Sequence, residues 1–109
     1  MKVAVASSGN NLDAPVDMRL GRCANIVVVD GDTMAFEVYR NPGALAGTGA
    51  GVAAAQVVAD AGADAVIAGN FGINSLRAFK SGEITAYIGS GTVRQAVQGL
   101  LDGELEVVE

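Results

Sequence analysis

A glycine-rich stretch ahead of an alanine-rich run is the part of the chain where ligand chemistry is first expected. Residues 41–56 read NPGALAGTGAGVAAAQ, with four glycines between Gly43 and Gly51. Glycine-rich loops that lead into helices often bind anions, because the first backbone N–H groups of a helix have no partners within it. No lysine lies in this stretch, so it does not match the GxxxxGK[ST] phosphate loop. The pattern predicts a small, uncharged binding surface at a helix entrance.

The residue types that the chain lacks limit its metal and nucleophile chemistry. It contains no histidine and one cysteine, Cys23. A protein zinc site needs about three or four nitrogen, sulfur or carboxylate ligands, and serine–histidine or cysteine–histidine catalysis needs a histidine. Any general acid or base would have to be a carboxylate, a lysine, a tyrosine or the cysteine. A single cysteine also excludes an internal disulfide. The absence of disulfides is typical of a cytoplasmic protein.

Length and charge indicate that residues 1–109 form one folded domain. Half of the 109 residues are hydrophobic and 17% are charged, which excludes a disordered tail. Seven basic and twelve acidic residues leave a net charge of −5 with no basic run, so nucleic-acid binding is not expected. No apolar run approaches the ~20 residues that span a bilayer. The start MKVAVASSG is interpreted as a strand and not as a signal peptide.

Short apolar runs alternate with helical patterns and predict an α/β protein. The expected order is β-β-β-α-β-α-β-α, which implies a five-stranded mixed sheet with three helices. In the first helix, Val52, Ala55, Val58 and Ala59 are expected to share the buried face. The last helix begins with a capping box at Thr92 and has an apolar face that includes Leu101. Strands are expected at 2–6, 26–30, 34–40, 65–68 and 85–88, and helices at 51–61, 73–80 and between residues 92 and 103.

Right-handed strand–helix–strand units place the helix entrances at one edge of the sheet, where ligands of open α/β sheets bind. Three glycine-containing entrances, at 47–51, 72–74 and 90–92, and the loop after the first strand are therefore expected to meet there. The alternative interpretation is that these glycines serve turn geometry alone, and that Asn70 only stabilises its own turn. The candidate binding residues from these loops are Ser7, Asn10, Gly47, Thr48, Gly49, Ala50, Gly51, Asn70, Gly72, Ser90, Gly91 and Thr92.

An ordered set of motifs runs from residue 1 to about residue 103. It comprises LDAPV, LGRC, IVVVD, GTGAGVAAAQ, ADAVIAGNFG and GSGTVRQAV. In this set the chain resembles the dinitrogenase iron–molybdenum cofactor biosynthesis family, which includes NifX-type carriers and the C-terminal domain of NifB-type proteins. The resemblance implies a ribonuclease-H-like fold without ribonuclease activity. It also implies a non-enzymatic protein that binds or carries a metal–sulfur cluster and meets acceptor or assembly proteins.

The resemblance also suggests how a chain with so few metal ligands could hold a cluster. A preformed anionic cluster brings its own sulfides and needs mainly backbone N–H donors and an arginine. Arg22 would compensate the cluster's charge. Cys23 is a candidate metal ligand, since a partly exposed thiol beside Arg22 would have a lowered pKa, but a purely non-covalent mode of binding would not need it. Many relatives carry histidines in the neighbourhoods of Arg19 and Thr48, where this chain has none. Ligation by histidine is therefore not available here, which favours a molybdenum–copper sulfide over an iron–molybdenum cluster.

Two other functions remain open at this point. A glycine-lined helix entrance also suits a phosphorylated metabolite or a nucleotide. The domain could instead be a protein-interaction module of a cofactor-assembly complex. Arg22 could belong to a surface ion pair, and Cys23 could be a small buried apolar residue, which is the commoner role of a lone cysteine.

Overall fold

Valine- and alanine-rich segments form a mixed sheet with helices on both faces. The structure is a computed structural model that describes residues 1–45 and 48–108. The elements within these residues are β1 (Lys2–Ser7), β2 (Asn25–Asp30), β3 (Phe36–Arg40), a 3-10 helix (Pro42–Leu45), α1 (Ala50–Asp60), β4 (Ala65–Ala68), α2 (Ile73–Ser81), β5 (Thr85–Ile88), α3 (Val93–Leu101) and β6 (Glu106–Val108).

The order of the strands brings several loops to one edge of the sheet. That order is β3-β2-β1-β4-β5-β6. β1, β4 and β5 are parallel neighbours, whereas β2 is antiparallel to both β1 and β3. β3 therefore runs in the same direction as β1, and the carboxyl ends of β1, β3, β4 and β5 share one edge. The expected mixed α/β architecture with three helices is confirmed, and the ribonuclease-H-like label stays a prediction.

The central strands are buried on both faces because helices cover each side. Ala4 and Ala6 of β1 lie in the core beneath α1 and α2, together with Phe79. Val3 and Val5 point to the opposite face and pack in the core beneath α3. Successive side chains of a strand alternate between faces, so a strand covered on both sides is apolar throughout. This explains the uninterrupted apolar runs that predicted the strands.

The predicted number of strands is wrong, because the C-terminal tail adds a sixth. Glu106, Val107 and Val108 form β6, which pairs antiparallel with β5. The segment is three residues long and weakly patterned, so its pairing depends on the β5 edge being available. β3 also begins later than expected, at Phe36. Met34 belongs to the preceding turn, with a φ of 63° that a strand does not allow.

The predicted faces of two helices need correction. In α1 the buried residues are Ala54, Ala55 and Val58, whereas Val52 is 50% exposed and Ala59 is exposed. Apolar residues surround most of this helix, so periodicity alone did not select the face.

At the last helix the capping box is confirmed. Gln95 N–H donates to Thr92 Oγ1 over 3.1 Å, and Thr92 N–H donates to Gln95 Oε1 over 3.0 Å. Leu101 was expected on the buried face of α3 but is 42% exposed. Among the described residues, no helix is both long and apolar enough to cross a bilayer.

Candidate functional site

A groove of about 340 Å³ lies at the carboxyl edge of the sheet. Three parts of the chain meet there: the turn before β2, the start of α1 and the loop between β4 and α2. This is the edge at which the sequence predicted a ligand site. The residues that line the groove are Arg19, Leu20, Gly21, Arg22, Gly51, Asn70, Phe71 and Gly72.

Two helix entrances contribute backbone to this groove, and neither has a side-chain cap within the described residues. The N-cap residues are Gly49 for α1 and Gly72 for α2, and neither first turn contains an acidic residue. The two entrances are close together, since a Cβ built on Gly51 would lie 3.5 Å from Ser75 Cβ. The N–H groups of a first helical turn carry partial positive charge. Together the two entrances favour an anion.

Two arginines add full positive charge to the same groove. Arg19 and Arg22 both line it, and both residues are exposed. None of the described residues that line the groove is acidic. The groove is therefore positively charged in a chain whose net charge is −5. This contrast would concentrate an anionic ligand at the carboxyl edge.

The segment between β1 and β2 crosses the edge of the sheet and places Arg19. Asp17 N–H donates to the carbonyl of Ala6 over 2.8 Å, and Gly69 N–H donates to the carbonyl of Asp17 over 3.0 Å. Arg19 then forms an isolated parallel bridge with Asn70. These backbone contacts join the segment to the ends of β1 and β4, so the arginine is set beside the β4–α2 loop.

Four of the predicted site residues line the groove: Arg22, Gly51, Asn70 and Gly72. Asn70 also has the turn role that was the alternative interpretation, because its Oδ1 accepts from Phe71 N–H over 2.8 Å. The predicted residues Thr48, Gly49 and Ala50 lie at the start of α1 but not in the lining. Gly47 lies outside the described residues.

The predicted residues of the loop after β1 are not part of the groove. Ser7 is fully buried, and its Oγ donates to the carbonyl of Pro15 over 2.8 Å while accepting from Gly9 N–H over 3.1 Å. Asn10 is exposed and does not belong to the lining. The polar groups of Ser7 therefore stabilise the loop itself.

The third predicted helix entrance does not belong to the lining of the groove. Ser90, Gly91 and Thr92 precede α3, which packs on the face of the sheet opposite α1 and α2. The first N–H groups of α3 already have acceptors. Those of Val93 and Arg94 donate to the carbonyls of Ala14 (2.9 Å) and Leu12 (2.8 Å), and that of Gln95 donates to Thr92 Oγ1. These N–H groups are therefore already hydrogen-bonded within the protein.

Cys23 is not the partly exposed thiol that a role as metal ligand would require. The residue is fully buried, and its Sγ donates to the carbonyl of Leu20 over 3.1 Å. Burial raises the pKa of the thiol to about 11, and the carboxylate of Asp17 contributes in the same direction. A buried, neutral thiol is a poor metal ligand. The alternative interpretation of Cys23 as a small buried apolar residue therefore fits the structure.

Sequence reasoning missed four residues of the lining: Arg19, Leu20, Gly21 and Phe71. A signal existed for Arg19, which stands three residues before Arg22 in the same irregular segment. Phe71 lies between the predicted Asn70 and Gly72, and its ring packs edge-on against that of Phe79, with centroids 6.0 Å apart at 89°. The ring thus packs against the core, and Phe71 also belongs to the lining of the groove.

A second, larger groove of about 730 Å³ lies between α2, β5 and β6. Its lining includes the apolar residues Leu76, Ile84 and Val108. Arg77 and Lys80 are accompanied there by the acidic Glu83, so this groove carries both signs of charge, unlike the first. None of the predicted site residues lies there.

The conformation of Gly49 makes it sensitive to substitution. Its φ of 73° is left-handed, and a Cβ built there would meet no atom within 4 Å. We expect Gly49→Val to lower the free energy of unfolding by on the order of 1–2 kcal/mol through backbone strain, not through a clash. Urea unfolding measures this. Gly49→Asn, which tolerates the left-handed conformation, should remain closer to the parent. Equal stability of the valine variant would contradict the assigned conformation.

Fold and groove together describe a small α/β protein with a backbone-lined, positively charged groove at the carboxyl edge of its sheet. The sequence profile described as dinitrogenase iron–molybdenum cofactor matches residues 1–103, and the chain belongs to this family. No curated protein matches the chain.

Solved structures resemble the chain over nearly its full length. The apo form of the orange protein from Desulfovibrio gigas is 40% identical with a TM-score of 0.93, covering 98% of this chain and 92% of its own. A putative NifB protein from Thermotoga is 30% identical with a TM-score of 0.83, covering 97% and 91%. A putative dinitrogenase from Methanocaldococcus jannaschii is 18% identical with a TM-score of 0.75, covering 100% and 95%, a likeness that concerns the fold alone.

Proposed function

We propose that this protein is a non-enzymatic carrier that binds an anionic metal–sulfur cluster in the groove at the carboxyl edge. The observation that carries the proposal is the convergence of two arginines and two uncapped helix entrances on a groove with no acidic residue among its described lining residues. Charge-assisted hydrogen bonds from such donors are stronger than neutral ones. The cluster is held mainly by backbone N–H groups near Gly51 and Gly72, with Arg19 and Arg22 balancing its charge.

Membership of the dinitrogenase iron–molybdenum cofactor family supports a cluster as the ligand. Within residues 1–45 and 48–108, no three His, Cys, Asp or Glu side chains are grouped so that they could hold a metal ion. A ligand that already contains its sulfides fits this composition better than a bare metal ion. We favour a molybdenum–copper sulfide, with an iron–molybdenum–sulfur cluster as the alternative, because the chain has no histidine to ligate iron or molybdenum.

Reconstitution tests the proposal directly. Incubation with tetrathiomolybdate and copper(I), followed by gel filtration, should leave molybdenum, copper and charge-transfer absorption with the protein. Molybdate without sulfide and copper(I) alone are the controls, and neither should give a stable coloured complex. Failure to retain any thiometallate while a nucleotide or phosphate binds would overturn the proposal.

A phosphorylated metabolite or nucleotide is the second candidate for the groove. One observation favours it: Phe71 lines the groove together with Arg19 and Arg22, so the groove offers an aromatic residue to a base and two arginines to the phosphates. Titration with ATP, ADP and inorganic phosphate, followed by calorimetry, separates this candidate from the carrier.

We also propose that a carrier of this kind transfers its cluster to an acceptor or assembly protein, as expected from the sequence.

Cys23 is not required for binding if the cluster is held without a protein thiolate. We expect Cys23→Ala to take up the thiometallate with the affinity of the parent, because the Sγ atom is buried and outside the lining of the groove. Metal analysis after reconstitution measures this. Loss of uptake in a folded variant would identify the thiolate as a ligand and contradict the expectation.

The stability of the same variant checks the burial of the thiol. Burial raises the pKa of Cys23 from 9.0 to about 11, so the neutral thiol stabilises the parent fully below pH 9. This contribution is lost as the pH rises towards 11, because the thiol in the unfolded chain ionises first. The stability advantage of the parent over Cys23→Ala should therefore shrink between pH 9 and pH 11. A constant difference over this range would show that the thiol is not buried.

A further inference from the structure

Asn41 is one of the few buried polar residues among those described, and it is 3% exposed. Its Nδ2 donates to the carbonyls of Cys23, over 2.9 Å, and of Leu20 and Gly21, over 3.2 Å each. Its Oδ1 accepts from Gly43 N–H over 2.9 Å. A buried amide is stable only when its donors and acceptors are satisfied, and these bonds satisfy it. One side chain thus joins the turn before β2 to the 3-10 helix that leads towards α1.

The same bonds fix the orientation of a peptide group that belongs to the groove. In a trans peptide the carbonyl of Leu20 and the N–H of Gly21 point in opposite directions. Because Asn41 holds that carbonyl on the buried side, the Gly21 N–H faces away from Asn41, and Leu20 and Gly21 line the groove. No acceptor for this N–H occurs among the described residues.

The turn held by Asn41 also lies directly against the start of α1. A Cβ built on Gly21 would be 3.1 Å from the backbone nitrogen of Gly51. The Gly21 and Gly51 backbones are therefore neighbours, and both line the groove. Neighbouring backbone N–H groups of this kind can form an anion-binding nest.

We propose that Asn41 is a positioning residue of the groove. It draws the carbonyls of the Leu20–Cys23 turn inwards, and so presents the Gly21 N–H to the anion and holds the turn that carries Arg22. Asn41 itself is buried and does not contact the ligand. The inference rests on the proposed carrier function for its consequence in binding, whereas the orientation of the Gly21 N–H can be measured without any ligand.

The matched test compares Asn41→Asp with Asn25→Asp. Both changes replace an amide that donates to a backbone carbonyl by a carboxylate, but the Asn25 amide donates to Gly9, which does not line the groove. Reconstitution with tetrathiomolybdate and copper(I) should show about 10–100-fold weaker uptake for Asn41→Asp, the range typical when a residue that orients a binding group is lost. Asn25→Asp should match the parent.

Backbone NMR of the unliganded proteins separates positioning from general stabilisation. In the parent, the Gly21 amide should exchange rapidly with solvent and shift on addition of tetrathiomolybdate. In folded Asn41→Asp the Gly21 and Gly43 amide signals should move while those of α3 stay in place. A Gly21 amide that is protected in the parent, or unchanged in Asn41→Asp, would overturn the role of Asn41. A parent that shows the Asn41-dependent signals but never binds the thiometallate would overturn the carrier function alone.

Discussion

Reversing both groove arginines, Arg19→Glu and Arg22→Glu together, is expected to abolish measurable uptake of the thiometallate cluster. A hydrogen bond to a charged group contributes about 1.5–3 kcal/mol, and each 1.4 kcal/mol corresponds to about tenfold in affinity. Losing two such contacts weakens binding by roughly 100-fold or more, and the new carboxylates repel the anion in addition. Both side chains are exposed, so the fold should survive. Metal analysis and visible absorption after reconstitution measure the loss.

The control for this prediction makes the same change in net charge elsewhere. Arg77 and Lys80 lie on α2 and line the second groove, so Arg77→Glu with Lys80→Glu should retain uptake. Single reversals should be intermediate, and the affinity of the parent should fall as salt is raised. If the Arg19 and Arg22 reversal binds as well as the parent, the ligand does not occupy the carboxyl-edge groove.

Gly43→Ala is expected to produce the largest loss of stability among single substitutions near the site. A Cβ at Gly43 would lie 2.5 Å from the carbonyl oxygen of Ala50 and 3.0 Å from that of Gly21. Both contacts are with backbone, so α1 or the Leu20–Cys23 turn must move, at a cost of typically 1–3 kcal/mol. Urea unfolding at neutral pH measures this.

Gly43→Ala should also weaken binding, because the parts that it displaces, the start of α1 and the Leu20–Cys23 turn, line the groove. Gly72→Ala is the control for stability, since a Cβ there meets no atom within 4 Å and its φ is −77°. That variant should unfold close to the parent. A Gly43→Ala protein as stable as the parent would mean that the 3-10 helix is not packed against α1 in solution.

Local patterns were sufficient for most of the framework. Short apolar runs placed β1, β2, β4 and β5, and glycines bounded the helices. Because the handedness of strand–helix–strand units is nearly fixed, the sequence also predicted the edge at which the entrances meet. Gly51, Asn70 and Gly72 were assigned to a site from these features, Arg22 was added through the family resemblance, and the structure brings the four together. Whether they bind the ligand is for the reconstitution experiments to decide.

Burial and hydrogen-bond partners depended on contacts between distant parts of the chain. The capping box at Thr92 was visible in the sequence, but the occupation of the next N–H groups of α3 by the carbonyls of Leu12 and Ala14 was not. Cys23 beside Arg22 predicted a reactive thiol, but the turn folds inwards and buries it. β6 exists only because β5 leaves an edge open.

One physical cause separates the features that the sequence predicted from those that only the tertiary structure decided. Periodicity, caps and turn residues act over a few neighbouring positions, so the sequence by itself determined the elements and the edge where they meet. Atoms far away in the sequence decide which face of a helix is buried, to which side a peptide N–H points and whether a lone thiol is buried. Asn41 illustrates this, since its sequence position marked only the end of β3. The three carbonyls that it binds, about twenty residues earlier in the chain, became its partners only in the tertiary structure.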